Sequence, residues 1–206
     1  MLGYGDIKIQ ETPNPLSVKF VIPLGVTTGE YISFFSKQEA QHIPVLRQIF
    51  ELPGIQHIFL APDFMTITKD EETPWGLLQS IVMCILNHHR TDFPLKELTS
   101  SCALEKITTK EPPCYTQDEQ SIIEEIEALI ATRVRPNVEA DGGIIQFHSM
   151  DMERGIVYVR LEGACSGCPH SKETLTYGIE NLLKHYIPEV QSVEEILDDT
   201  SFYYSD

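Results

Sequence analysis

Apolar and polar positions alternate in short runs over residues 7–35 and again near 55–68, the period-two pattern of half-buried strands. The expected strands are Ile7 to Gln10, Ser17 to Leu24 with Val18, Phe20 and Ile22 on one side, and Tyr31 to Phe35. Thr12-Pro13-Asn14-Pro15 separates the first two, since prolines fix φ and remove donors; a rigid turn accounts for them. From Glu39 to Leu52 the period lengthens to that of a helix, with Ile43, Leu46, Ile49 and Phe50 on one side and Pro53-Gly54 closing it. Ile55 to Leu60 and Phe64 to Thr68 then read as a hairpin. Thr73-Pro74 is expected to open a second helix as cap and first-turn proline, with Trp75, Leu78, Ile81, Val82, Ile85 and Leu86 as its stripe. Cys84 falls between these apolar positions and is expected to be a small buried hydrophobe.

Periodicity fades over 91–115, which gathers Thr, Ser, Lys and Pro and reads as a linker. A capping box, Thr116-Gln117-Asp118-Glu119, starts the next helix, whose stripe is Ile122, Ile123, Ile126, Leu129, Ile130 and Val134; Pro136 is expected to end it. Asp141-Gly142-Gly143 forms a turn into a strand from Ile144 to His148, and Gly155 to Leu161 alternates as another. Leu175, Ile179, Leu182, Leu183 and Tyr186 recur at helical spacing up to Pro188, and Val190 to Ile196 reads as a final strand. The pattern gives an α+β fold of two small two-layer domains with mainly antiparallel sheets. The boundaries expected are 1–94, a linker over 95–115, and 116–206 ending in an acidic tail.

Charge narrows the partners. Against 15 Lys plus Arg the chain carries 31 Asp plus Glu, a formal net charge of -16. That argues against nucleic acid or an anionic membrane as a main partner. No apolar run approaches the roughly 20 residues a membrane span needs. Five cysteines, scattered except for one pair, fit a reducing compartment better than a disulfide framework. The first residues have the features of neither a signal peptide nor a mitochondrial presequence, so a bacterial cytoplasm is expected, with a mitochondrial matrix after presequence removal as the alternative. Residues 1–95 carry no convergent acids, nucleophile or metal-ligand spacing.

The chemistry concentrates in Gly163-Ala164-Cys165-Ser166-Gly167-Cys168-Pro169, between a strand and a helix. Small residues between Cys165 and Cys168 let both sulfurs point the same way and leave them open to solvent or a partner. Cys168 stands at a helix start, where unpaired N–H groups favour the thiolate. Soft thiolates select zinc, copper(I) or iron-sulfur clusters, and such sites want four of them, whereas one chain offers two here. From spacing alone the pair is a redox disulfide, half of a zinc site or half of a cluster site. Cys102 and Cys114 have no ligand-like neighbours, adjacent His88 and His89 are expected to serve the helix C-terminus rather than a metal, and Asp141 reads as a turn former.

The flanks add to this. Arg135-Pro136-Asn137-Val138 with Asp141-Gly142-Gly143, the cysteine motif, and Gly178-Ile179-Glu180-Asn181-Leu182-Leu183-Lys184-His185-Tyr186-Ile187-Pro188-Glu189-Val190 resemble the C-terminal domain of the NifU/Nfu family of iron-sulfur scaffolds and carriers. Thr12-Pro13-Asn14-Pro15, Lys19-Phe20 and Asp63-Phe64-Met65-Thr66-Ile67-Thr68-Lys69 resemble the N-terminal domain that accompanies it in the mitochondrial and alphaproteobacterial branch. The resemblance implies a carrier, not an enzyme, in which Cys165 and Cys168 of two chains hold one labile 4Fe-4S cluster, with a 2Fe-2S form as the alternative. It further implies apo iron-sulfur proteins and upstream assembly proteins as partners, a homodimer when loaded, and a protein-contact role for the N-terminal domain. Two departures stand out: His170-Ser171-Lys172-Glu173 follows the motif where small hydroxyl residues are usual, and Ile144 stands where an acidic or amide side chain often follows the glycines. An exposed first-turn His170 is expected, outside the ligand set. The competing functions are a thiol-disulfide oxidoreductase, disfavoured by the expected lack of a βαβ unit and of an aromatic before Cys165, and a structural zinc bridging two chains.

Overall fold

The computed structural model describes residues 6–95, 115–166 and 169–196, the last without the side chains of 169–174. By internal packing the chain forms two compact units, the first comprising Met1–Thr109 with Asp141–Gly143 and Glu162–Cys168, the second Lys110–Ala140, Ile144–Leu161 and Pro169–Asp206.

The first unit is built on five strands, β1 (Lys8–Glu11), β2 (Ser17–Val21), β3 (Ile32–Phe34), β4 (Ile55–Leu60) and β5 (Phe64–Lys69). They form an antiparallel sheet in the order β1-β2-β5-β4-β3. The hairpin expected from Ile55 onward is β4-β5, with Leu60 opposite Met65. Helices α1 (Pro44–Phe50) and α2 (Trp75–His88) complete the unit. Phe20, Ile22, Phe34, Leu46, Ile49, Ile58, Ile67, Val82 and Leu86 are buried in one core with few exceptions to the expected stripes. Burial of this kind contributes roughly 1.5–3 kcal/mol for each large apolar side chain.

Three local expectations are corrected. Helix α1 begins at Pro44, not near Glu39, because proline fits the first helical turn and the preceding residues form turns instead. Pro74, not Thr73, caps α2, and it makes no side-chain cap bond; the Thr73 N–H is taken by Asp70 Oδ1 at 2.8 Å. Cys84 is exposed, as is Ile81, because the inward face of α2 is the Leu78, Val82, Leu86 line and Cys84 lies two residues round from it. Phe93 and Leu95 are also buried in this core, and Leu95 N–H bonds Val26 O.

The second unit opens with α3 (Gln117–Leu129), and both halves of its capping box are present: Glu119 N–H reaches Thr116 Oγ1, and Thr116 N–H reaches Glu119 Oε2 at 2.7 Å. Pro136 does not stop the helical path. One π turn (Ile130–Val134), in which Arg135 N–H bonds Ile130 O, leads into α4 (Arg135–Ala140). Pro136 thus occupies a first turn, where the missing N–H has least to lose. Strands β6 (Gly143–Asp151) and β7 (Ile156–Gly163) are longer than expected and are joined by only four residues, which permits an antiparallel pair and no other.

Helix α5 (Pro169–Tyr186) then carries the chain to β8 (Ser192–Glu195), which pairs parallel with β7, Val157 opposite Val193. Strand, helix and parallel strand form a βαβ crossover, contrary to the sequence expectation. The short, polar β8 gave no sign of its direction. Glu180 fixes the crossover: one carboxylate oxygen accepts from Lys184 Nζ at 2.6 Å and the other from Val193 N–H at 3.2 Å. The Lys184 hydrogen bond, with the Val193 N–H adding less, holds that carboxyl below the usual carboxylate range. On α5 Ile179 and Leu183 are buried, as is Ile187 just past its end, and Tyr186 is exposed.

Candidate functional site

The cysteine motif begins where β7 ends. Gly163 takes a φ of +73°, a conformation glycine adopts without a Cβ penalty, and turns the chain so that Ser166 N–H reaches Gly163 O at 3.2 Å. Ala164 N–H bonds Gly142 O at 3.1 Å, which binds the motif to the paired glycines at the start of β6. Those glycines leave the space that the motif occupies. A Cβ on Gly143 would lie 2.9 Å from Cys165 Sγ and 2.6 Å from Glu162 O, so the sulfur sits where any other residue would place a carbon. Asp141 is an exposed turn residue, and Ile144, one of the two departures from the family pattern, is buried in the core.

Cys165 is 5% exposed and belongs to no disulfide. The expectation of an open sulfur fails for this residue: with Gly143 against it and Ala164 2% exposed beside it, the small side chains of the motif permit close packing rather than access. Cys168 lies outside the described residues, as do the side chains of His170 and Lys172 and the whole of Cys102 and Cys114. Among the described residues no three His, Cys, Asp or Glu side chains converge as a metal site. His89 instead bonds Asp92 Oδ2 through Nδ1 at 2.7 Å at the end of α2.

Within the first compact unit, the motif and the paired glycines are held by side chains that the sequence alone did not single out. Asn14 Nδ2 donates to Ala164 O at 3.0 Å, and Asn14 is itself 5% exposed. Its other amide atom, Oδ1, accepts Leu16 N–H at 3.0 Å, so the turn between the prolines aims the amide. Thr66, wholly buried on β5, donates its hydroxyl to Gly142 O at 2.6 Å. Ser33 Oγ donates to Glu162 Oε2 at 2.6 Å, and the Phe59 ring packs where a Cβ on Gly163 would fall. The one available signal was the position of Asn14 and Thr66 in segments already notable for their pattern. A hydroxyl on a strand and an amide in a proline turn have many uses, so it did not reach a function.

Two family descriptions match the chain: Scaffold protein Nfu/NifU N terminal over residues 7–92, and NifU-like domain over 126–194. The human mitochondrial NFU1 iron-sulfur cluster scaffold homolog is 36% identical over 203 residues, covering 96% of this chain and 74% of that protein. The chain belongs to the Nfu/NifU scaffold family. Within this family, Arabidopsis thaliana mitochondrial NifU-like protein 4 is also 36% identical, over 93% of this chain and 66% of its own length. A solution NMR structure of the NifU-like protein from Saccharomyces cerevisiae matches at 27% identity and a TM-score of 0.39, over 41% of this chain and 77% of that chain. The two cysteines of the motif fall inside the segment matched by the NifU-like domain.

Proposed function

We propose that this member of the Nfu/NifU scaffold family holds an iron-sulfur cluster as cargo through Cys165 and Cys168 and delivers it to apo-proteins. The observation that carries this is the pairing of both family segments with a CxxC motif inside the NifU-like one. The donor set suits the cargo: thiolates bind iron in clusters, and each cluster takes four cysteines in its usual form. Two chains, each giving Cys165 and Cys168 across a two-fold axis, complete that number, and most homo-oligomers close by such symmetry. The cargo is a 4Fe-4S cluster shared between chains, with a 2Fe-2S form as the alternative. Ligands split between subunits can be displaced one at a time by an acceptor's thiolate, which makes release a matter of exchange and requires no catalytic group.

The partners are apo iron-sulfur proteins and the upstream assembly proteins. The relatives named as mitochondrial favour the matrix over the bacterial cytoplasm as the site of action. Among the described residues no helix is long and apolar enough to cross a membrane. Anaerobic reconstitution with iron and sulfide tests the assignment: the chain should bind both, and Cys165→Ala or Cys168→Ala should each lose them. Iron and sulfide retained in either variant would move the ligands elsewhere, and zinc bound stably in place of a cluster would favour the bridging-zinc alternative.

The βαβ crossover around the motif favours one other function, since a CxxC at the helix start of such a unit is the arrangement of thiol-disulfide oxidoreductases. That alternative predicts dithiol-dependent reduction of a protein disulfide by the cluster-free chain, lost in the same two variants. A carrier predicts no turnover in that assay.

A further inference from the structure

We infer that Asn14 and Thr66 form a latch that keeps the cluster-free chain closed, with the Cys165 thiol sequestered until the motif is released. The inference rests on Cys165 being a cluster ligand. At 5% exposure, with its Sγ close to the Gly143 backbone, Cys165 is nearly closed to solvent. Ligation therefore requires the segment from Glu162 onward to move away from what covers it. Two side-chain hydrogen bonds hold that segment directly, Asn14 Nδ2 to Ala164 O and Ser33 Oγ to Glu162 Oε2, and a third, Thr66 Oγ1 to Gly142 O, holds the glycine backbone that covers it, all inside the first compact unit.

The donors are placed for this task. Asn14 is held by its own turn through Leu16 N–H, and Thr66 is fixed by a sheet position between β2 and β4. Both acceptors are backbone carbonyls of the motif or of the glycines it packs on, so the latch reads conformation and does not depend on which side chains the motif carries. Breaking it exposes a buried amide and a buried hydroxyl, which sets a threshold that an incoming cluster or partner must overcome. On release of cargo the same bonds re-form and withdraw Cys165 from competing metals and oxidants. The N-terminal sheet is thereby a regulator of the ligand residue as well as a contact module.

The test measures iodoacetamide alkylation in the metal-free, reduced full chain, resolving Cys165 by peptide fragmentation and using exposed Cys84 as the internal reference. Cys165 should react far more slowly than Cys84 in the unaltered chain. Asn14→Asp keeps the acceptor for Leu16 N–H and removes the donor to Ala164, and Thr66→Val keeps the shape and removes the hydroxyl. Each should raise the Cys165 rate about fivefold, the weight of one net hydrogen bond on the open population, and leave the Cys84 rate unchanged. Ser33→Ala, a mild change on a half-buried strand residue, serves in place of either variant that does not fold, with the same expectation. Cys165 reacting as fast as Cys84 in the unaltered chain, or unchanged protection in folded variants, would overturn the latch. Because no cluster enters the assay, a failure to reconstitute would count against the carrier function and leave this result standing.

Discussion

At the residue scale the paired glycines matter as much as the cysteines. Gly143→Ala would drive a carbon to within 2.9 Å of Cys165 Sγ, and Gly163→Ala would combine a φ of +73° with a Cβ 2.5 Å from Gly142 O. Each should lower stability by about 1–3 kcal/mol, the usual cost of overpacking a closed site, and denaturant midpoints measure it. His57 gives a second prediction. Its ring is 7% exposed, stacked on Phe35 at 4.5 Å, and burial alone pushes its pKa down from 6.5 to about 4. Between those values the unfolded chain holds the proton and the folded chain does not. The stability tied to this neutral imidazole is therefore full above about pH 6.5 and falls away toward pH 4, by about 3 kcal/mol in all. His57→Phe should flatten the slope of unfolding free energy over that window; an unchanged slope would mean the imidazole is not what titrates. The cysteine pair was legible in the sequence because spacing and small neighbours mark it. The burial of Cys165 was not, because it depends on Gly143, twenty-two positions away, lacking a side chain, and on carbonyls bonded by Asn14 and Thr66.

At the element scale, periodicity located nearly every strand and helix, and it failed where tertiary pairing or backbone geometry decides. The capping box of α3 was readable because both of its bonds are local. Thr116→Ala should cost about 1 kcal/mol and show first as faster amide exchange in the first turn of α3, with the first unit unaffected. Pro136 misled because a proline signals a break only if the helix register is fixed. A π turn before it resets that register, and the helical path continues through α4. The direction of β8 was likewise hidden, since the parallel pairing with β7 is made by the α5 crossover and by Glu180 rather than by the four residues of the strand itself. Glu180→Ala should loosen that crossover, read as reduced protection of Val193 N–H, because the acceptor of that amide is gone.

At the scale of the whole molecule, the acidic charge bears on the proposed transfer between proteins. A net charge of -16 suits basic or neutral partner surfaces and an on-rate that falls with salt, which transfer kinetics at two ionic strengths would register. The sequence made the scaffold family legible through its motifs. The bonds of the proposed latch exist only because the fold brings Asn14 to Ala164 O, Thr66 to Gly142 O and Ser33 to the Glu162 carboxylate. Native mass spectrometry of the anaerobically reconstituted protein tests whether a cluster bridges two chains. A dimer carrying about four iron and four sulfide is expected, with a dimer carrying two of each as the alternative cluster form, both absent in the Cys165→Ala chain. A loaded monomer, or a dimer whose metal content survives that substitution, would contradict it.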